Sequence, residues 1–209
     1  MKLPEEGIYV IENCIPASLQ DAIEEFYFSD NYFWFEKTGK KQDLLSGKKL
    51  TTDLSRIKIE DGPVINRLEL GLFELVLKNS LEQIEVSYIS EKIILGRVLM
   101  QQPKESSVRN NVHVDTDKKC YTLLYYVNDS DGDTLFFDKT TKDYSYSEYN
   151  TSRFLPDWTE MQNKIFTKIA FRKTPKKGTA VVFDGSIYHA SSSPTMGRRC
   201  IINFCYEWS

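Results

Sequence analysis

The sequence predicts an α+β fold that is mainly β: a double-stranded β-helix (jelly roll) with N-terminal helices packed on one of its sheets. Three observations predict it. Helical periodicity is confined to the first third of the chain. From Val86 onward, short segments rich in β-branched and aromatic residues alternate with turn signals such as NDSDGD, TPKKG and SPTMG. A length of 209 residues suits one domain that buries its core without staples. Within that single domain, 1–90 reads as a helical support region and 91–209 as the jelly-roll core.

Ser18 to Phe28 places Leu19, Ala22, Ile23 and Phe26 on one helical face behind a Pro-Ala-Ser start. Asn31 to Thr38 reads as a short aromatic strand, and the lysine-rich run Gly39 to Lys49 as a solvated loop. A second helix is predicted from Pro63 to near Gln83, with proline in its first turn. Strands follow at Ile93 to Gln102, Asn111 to Asp115, Tyr121 to Asn128, Thr134 to Asp138, Ile165 to Lys173, Thr179 to Asp184 and Arg199 to Trp208. The connection from Lys139 to Lys164 is too long for a hairpin loop and suits a substrate lid. Asp129, Asp131 and Asp133 alternate like a calcium loop, but the glycine offset is wrong and no bidentate glutamate follows. They read as a solvated hairpin turn.

Hydrophobic residues at 41% and charged residues at 27% exclude disorder, collagen and coiled coil. The near balance of 27 basic and 30 acidic residues argues against nucleic acid as a partner through bulk electrostatics. No apolar stretch is long enough for a membrane span. MKLPEEGIYV lacks the pattern of a signal peptide, and four cysteines lack CxxC spacing. Reduced thiols and a cytoplasmic location are therefore expected.

The chain has only two histidines. His113 lies in Asn-Val-His-Val-Asp, and on a strand His113 and Asp115 point the same way, about 7 Å apart. His189 follows the predicted strand Thr179 to Asp184 and the turn Gly185-Ser186. Two imidazoles and one carboxylate make the facial triad of non-heme Fe(II) oxygenases, with positions left open for substrate and dioxygen. Arg199 opens the strand RCIINFCYEW ten residues after His189, across the turn SSSPTMG. An antiparallel return would carry it into the same barrel, where its fork could clamp the distal carboxylate of a 2-oxo diacid. Spacing alone admits Arg198 as well. Arg199 is preferred because Arg198 still belongs to the turn. Alternation from Arg199 also puts Ile201, Asn203 and Cys205 inside, and the bulkier Ile202, Phe204 and Tyr206 outside.

These residues resemble the Fe(II)/2-oxoglutarate-dependent oxygenases, in particular their prolyl 4-hydroxylase-like branch. The resemblance spans Ile93 to Trp208. It rests on His113-Val114-Asp115, the strand ending Tyr126-Val127-Asn128, the Gly132-Asp133-Thr134 turn, Pro175-Lys176-Lys177-Gly178, His189 and Arg199, in the family's order. It implies a dioxygenase that hydroxylates a C–H bond, such as that of a prolyl residue, and releases succinate and CO2. Fe(II) would be held by His113, Asp115 and His189, which are also the catalytic residues. Dioxygen would react there, and 2-oxoglutarate would serve as cosubstrate. By position, Tyr126 and Thr134 would contact 2-oxoglutarate beside Arg199, with Thr122 and Leu124 lining its pocket. The primary substrate would be a peptide or a small molecule. Three departures stand out: Asp131 replaces the first glycine of the turn, Ile201 replaces a carboxylate-binding serine, and Cys205 occupies the place of the second arginine of nucleic-acid demethylases. A non-catalytic, metal-binding cupin-like module is the competing expectation.

Overall fold

The computed structural model describes residues 7–30, 32, 35–36, 49–53 and 67–207, with side chains for 7–30, 32 and 71–207. In chain order the elements are β1 (Ile8–Ile11), α1 (Ala17–Phe28), β2 (Phe35–Glu36), β3 (Lys49–Asp53), α2 (Arg67–Gln83), β4 (Ile93–Gln101), β5 (Cys120–Tyr126) and β6 (Thr134–Thr140). They continue with α3 (Tyr146–Ser152), α4 (Trp158–Ile165), β7 (Ile169–Lys173), β8 (Ala180–Asp184), β9 (Ile187–Ser191) and β10 (Arg199–Glu207). One sheet has the order β1-β8-β5-β10-β4-β3-β2, the other β7-β6-β9, and neighbouring strands are antiparallel. Single bridges from Arg109 to Ser192 and from His113 to His189 run the small sheet on past β9.

Strand alternation sorts the side chains into three layers. On β10, Cys200, Ile202, Phe204 and Tyr206 face outward with Leu123 and Tyr125 of β5. There they meet Ile23 and Tyr27 of α1 and Phe73, Val76, Leu77 and Leu81 of α2. Between the sheets lie Leu124, Tyr126, Phe136, Val181, Phe183, Ile187 and Ile201. Outside the small sheet, Leu135, Phe137, Tyr188 and Ala190 pack against Tyr149 of α3 and Trp158 of α4. Tyr27 and Phe73 are fully buried and meet edge-on, so truncating either ring would cost about 3–5 kcal/mol.

Several expectations need correction. The first third is not purely helical: β1 pairs with β8 at the edge of the large sheet, and β3 pairs with β4. Lys49, expected at the end of a loop, starts β3, because backbone pairing to β4 outweighs a charged sequence. The loop reading for 39–48 and the first residues of the second helix lie outside the described residues. Asn111 to Asp115 is not a strand but a segment held by one bridge. Ile165 closes α4, so the strand predicted from it begins only at Ile169. The aspartates are not merely solvated. Asp131 accepts from the backbone of Thr195 at 3.0 Å, Asp133 from Arg172 at 3.0 Å, and Asp129 from the backbone of Lys177 at 2.7 Å. They tie the β5–β6 turn to its neighbours. All four cysteines are free and buried, and among the described residues no helix is long and apolar enough to cross a membrane.

Candidate metal centre and adjoining anion site

The inward face of β9 carries Ile187, His189 and Ser191, and His113 is bridged to His189 through the backbone. That bridge sets the two imidazole centroids 4.6 Å apart. Asp115, two residues on, brings its carboxylate between them: Oδ1 is 3.7 Å from His113 Nε2 and Oδ2 is 3.5 Å from His189 Nε2. One donor atom from each residue lies within 4.8 Å of the others. His113 Nδ1 sits 3.0 Å from the Asn111 carbonyl, and His189 Nδ1 sits 3.1 Å from that of Ile187. Each carbonyl takes the Nδ1 proton, leaving both Nε2 lone pairs aimed at the cluster, as a metal site requires.

Asp115 is further held by Arg97 of β4, which donates to Oδ1, and by Asn203 of β10, which donates to Oδ2 at 3.1 Å. Burial works against its charge. The Arg97 guanidinium leads the groups that outweigh burial and hold the carboxyl well below the usual carboxylate range.

A second polar cluster lies two residues along β9. Ser191 pairs with Thr134 while His189 pairs with Phe136, a step of about 7 Å. Here Arg199 donates to Gln101 Oε1 at 3.0 Å and to Thr134 Oγ1 at 2.8 Å. Tyr126 also donates to Thr134 Oγ1, at 2.8 Å, and its ring lies 5.9 Å from the Arg199 guanidinium carbon. Arg199 is 2% exposed, its Nε has no hydrogen-bond partner, and among the described residues it pairs with no carboxylate. Burial accordingly pulls its pKa down. Gly132 makes room for it: a Cβ there would stand 3.0 Å from Arg199 Cδ and 2.9 Å from the Ser192 carbonyl. Arg198, by contrast, is exposed and lies over the Phe28 ring.

Both clusters open into one cavity of about 460 Å³. His113, Asp115, His189, Arg199, Thr134 and Leu124 line it. Tyr126 stands behind Thr134 rather than on the wall. Thr122 does not reach the cavity, contrary to expectation. It pairs with Phe183 and Cys205, and Phe183, its ring 4.9 Å from that of His189, fills that level of the barrel. Sequence reasoning missed Arg97 and Gln101, and put Asn203 on the inward face without giving it a role. A lone arginine inside the apolar strand IILGRVLMQ was the available signal. The 139–164 connection contributes Tyr146, Tyr149, Arg153 and Phe154 to the cavity, through α3 and the turn after it. A Ser145–Glu148 capping box starts α3, and the Ser-x-x-Glu spacing that encodes it was legible.

No protein-family model matches the chain, and no curated protein matches it. Solved structures do. A non-heme alpha-ketoglutarate-dependent epimerase from nogalamycin biosynthesis aligns with TM-score 0.61 and 12% identity over 96% of this chain and 76% of that one. A Pseudomonas putida prolyl-4-hydroxylase aligns with TM-score 0.55 and 11% identity over 97% and 93%. This chain has their fold. HygX from Streptomyces hygroscopicus, solved with nickel and 2-oxoglutarate bound, shares it at TM-score 0.59 and 13% identity over 96% and 82%. Their low identity leaves the chemistry of the site to be argued from its own residues.

Proposed function

We propose that the protein is an Fe(II)- and 2-oxoglutarate-dependent dioxygenase and that 91–209 forms its double-stranded β-helix core, with the preceding residues as support in one domain. The observation that carries this reading is Arg199, a buried cation with no carboxylate partner among the described residues, facing the same cavity as two imidazoles and a carboxylate. A buried charge needs a counter-charge, and an anionic ligand would supply it. A module that only bound metal would have no use for Arg199.

His113, Asp115 and His189 would hold the Fe(II), an N,N,O donor set that leaves positions free on the cavity side. Arg199 would clamp the distal carboxylate of 2-oxoglutarate, with Thr134 turning its hydroxyl toward the same group and Tyr126 supporting Thr134 from behind. Leu124 would line the chain of the diacid. The step of about 7 Å between the two clusters suits a five-carbon diacid with one end on the metal and the other on Arg199. When bound, the iron supplies oxidative decarboxylation of 2-oxoglutarate by dioxygen, giving succinate and CO2, with one oxygen atom delivered to a substrate C–H bond. Phe183 and Phe136, packed against His189, keep water from that side of the centre. The same fold serves a prolyl-4-hydroxylase and an epimerase, so the reading covers a prolyl residue and a small molecule alike as substrate.

The test is mass-spectrometric detection of succinate from 2-oxoglutarate, with Fe(II) supplied and omitted. Iron-dependent succinate that disappears in His189→Ala supports the reading. No succinate, together with no anaerobic binding of 2-oxoglutarate to the Mn(II)-loaded protein, overturns it.

A further inference from the structure

Charge does not balance in the cavity, and the excess is localised. Among the described lining residues, three are arginines (Arg97, Arg153 and Arg199) and one is a carboxylate, Asp115. On the proposed function, on which this inference rests, the divalent metal is neutralised by Asp115 and the 2-oxo-acid end of the cosubstrate, and Arg199 by the distal carboxylate. Arg97 and Arg153 then remain around the space left for the primary substrate. Neither is placed to share the cosubstrate's far end. Gln101 contacts Arg199, and Arg97 lies four residues up β4 on the same face, about 13 Å away. Arg153 comes from the segment between α3 and α4, a different wall.

Arg153 is set up for an anion. Its guanidinium lies over the Tyr149 ring at 5.7 Å and the Phe154 ring at 4.7 Å and hydrogen-bonds the Tyr149 hydroxyl, contacts that hold the head group at the cavity wall. Its Nε is buried and has no hydrogen-bond partner. Among the described residues, no carboxylate pairs with it. Arg97 already has Asp115, whose charge a metal would share, which leaves Arg97 only partly neutralised. Asp53 stands opposite Arg97 in the β3–β4 register, which makes Arg153 the cleaner residue to test.

We propose that the primary substrate is a small molecule bearing an anionic group, a carboxylate or a phosphate, which Arg153 grips with help from Arg97 beside the metal centre. Tyr146, Tyr149 and Phe154 supply the apolar wall for the rest of that substrate.

The experiment uses the full chain loaded anaerobically with Mn(II) and 2-oxoglutarate, whose own binding is measured first. Matched probe pairs are then titrated by calorimetry: N-acetylproline against its amide, 3-phenylpropionate against its amide, and phenyl phosphate against phenol. The expected result is that at least one acid binds tenfold or more tightly than its neutral partner. Arg153→Gln should abolish that preference while 2-oxoglutarate affinity stays at the wild-type value, and Arg153→Lys should restore part of it. The carboxylate and phosphate arms identify which anion is read. If acids and neutral partners bind alike, or none binds, or Arg153→Gln keeps the preference, the inference is overturned while the proposed function stands. If Mn(II) and 2-oxoglutarate themselves fail to bind, the proposed function falls and takes the inference with it.

Discussion

Replacing Arg199 with methionine should separate a ligand-binding arginine from a structural one, because the two roles predict stability changes of opposite sign. Without ligand, the guanidinium is a charge buried away from water, with two side-chain hydrogen bonds and no carboxylate partner among the described residues. Methionine is of similar length and removes the desolvation penalty, which is several kcal/mol for such an ion. Against this stand the loss of two hydrogen bonds at about 1 kcal/mol each and an unsatisfied Gln101 oxygen at about 1–3 kcal/mol. Thr134 keeps its bond from Tyr126. The ligand-free variant should therefore be as stable as wild type, or more stable by roughly 1–3 kcal/mol, in urea unfolding. Its affinity for 2-oxoglutarate should collapse, because the distal carboxylate would be buried unpaired. A loss of about 3–5 kcal/mol is a rise of roughly 150- to 4,000-fold in Kd. The assay is anaerobic calorimetry with Mn(II) in place of iron, with Arg198→Ala as the control that should bind normally. Binding within threefold of wild type in Arg199→Met would refute the reasoning. A loss confined to Arg198→Ala would do the same.

Substituting alanine for His113, Asp115 or His189 should weaken Mn(II) binding by about a hundredfold or more, read as free Mn(II) by paramagnetic resonance; retained occupancy in any of the three removes that residue from the centre. Tyr126→Phe deletes the bond to Thr134 and should raise the 2-oxoglutarate Kd about tenfold without altering metal affinity, a calorimetric result that an unchanged Kd would contradict. Gly178→Ala should destabilise by about 2 kcal/mol or more in urea, since φ is +76° there and the new Cβ would fall 2.1 Å from the Gln20 amide oxygen. Burial pushes the Cys14 thiol from 9.0 up to about 11, so it should resist alkylation at pH 8 until the protein unfolds. Cys14's contribution to stability is therefore full below pH 9 and falls as pH climbs from 9 toward 11, measurable as a declining urea midpoint.

What could be read from the sequence was whatever chemistry a single strand displays. Arg199, Ile201 and Asn203 line the cavity while Cys200, Ile202, Phe204 and Tyr206 pack on the helices, as alternation along β10 required. The His113–Asp115 spacing worked although the segment is not a strand, because one backbone bridge to His189 is enough to keep both side chains on one face. Thr122 failed for a reason that alternation cannot supply. It shares the inward face of β5 with Leu124, but Phe183, 61 positions later, occupies the barrel at its level.

Partners across strands were hidden for the same reason. Gln101 meets Arg199 and Arg97 meets Asp115 only because β4 pairs with β10 in one register, and neither strand's own composition picks that register out of those that keep the same faces inward. Yet the register distributes the chemistry. A single strand, β4, sends Gln101 to the Arg199 end and Arg97 to the metal end, with Leu99 between them on the same face. A slip of one residue would turn all three polar and apolar contacts to the helices' side and bury two charged or polar groups in the outer core. The cost of such a slip, several kcal/mol for the arginine alone, makes the pairing of β4 with β10 self-enforcing once the helices have docked. The residues that build the site are thus also among those that select its register.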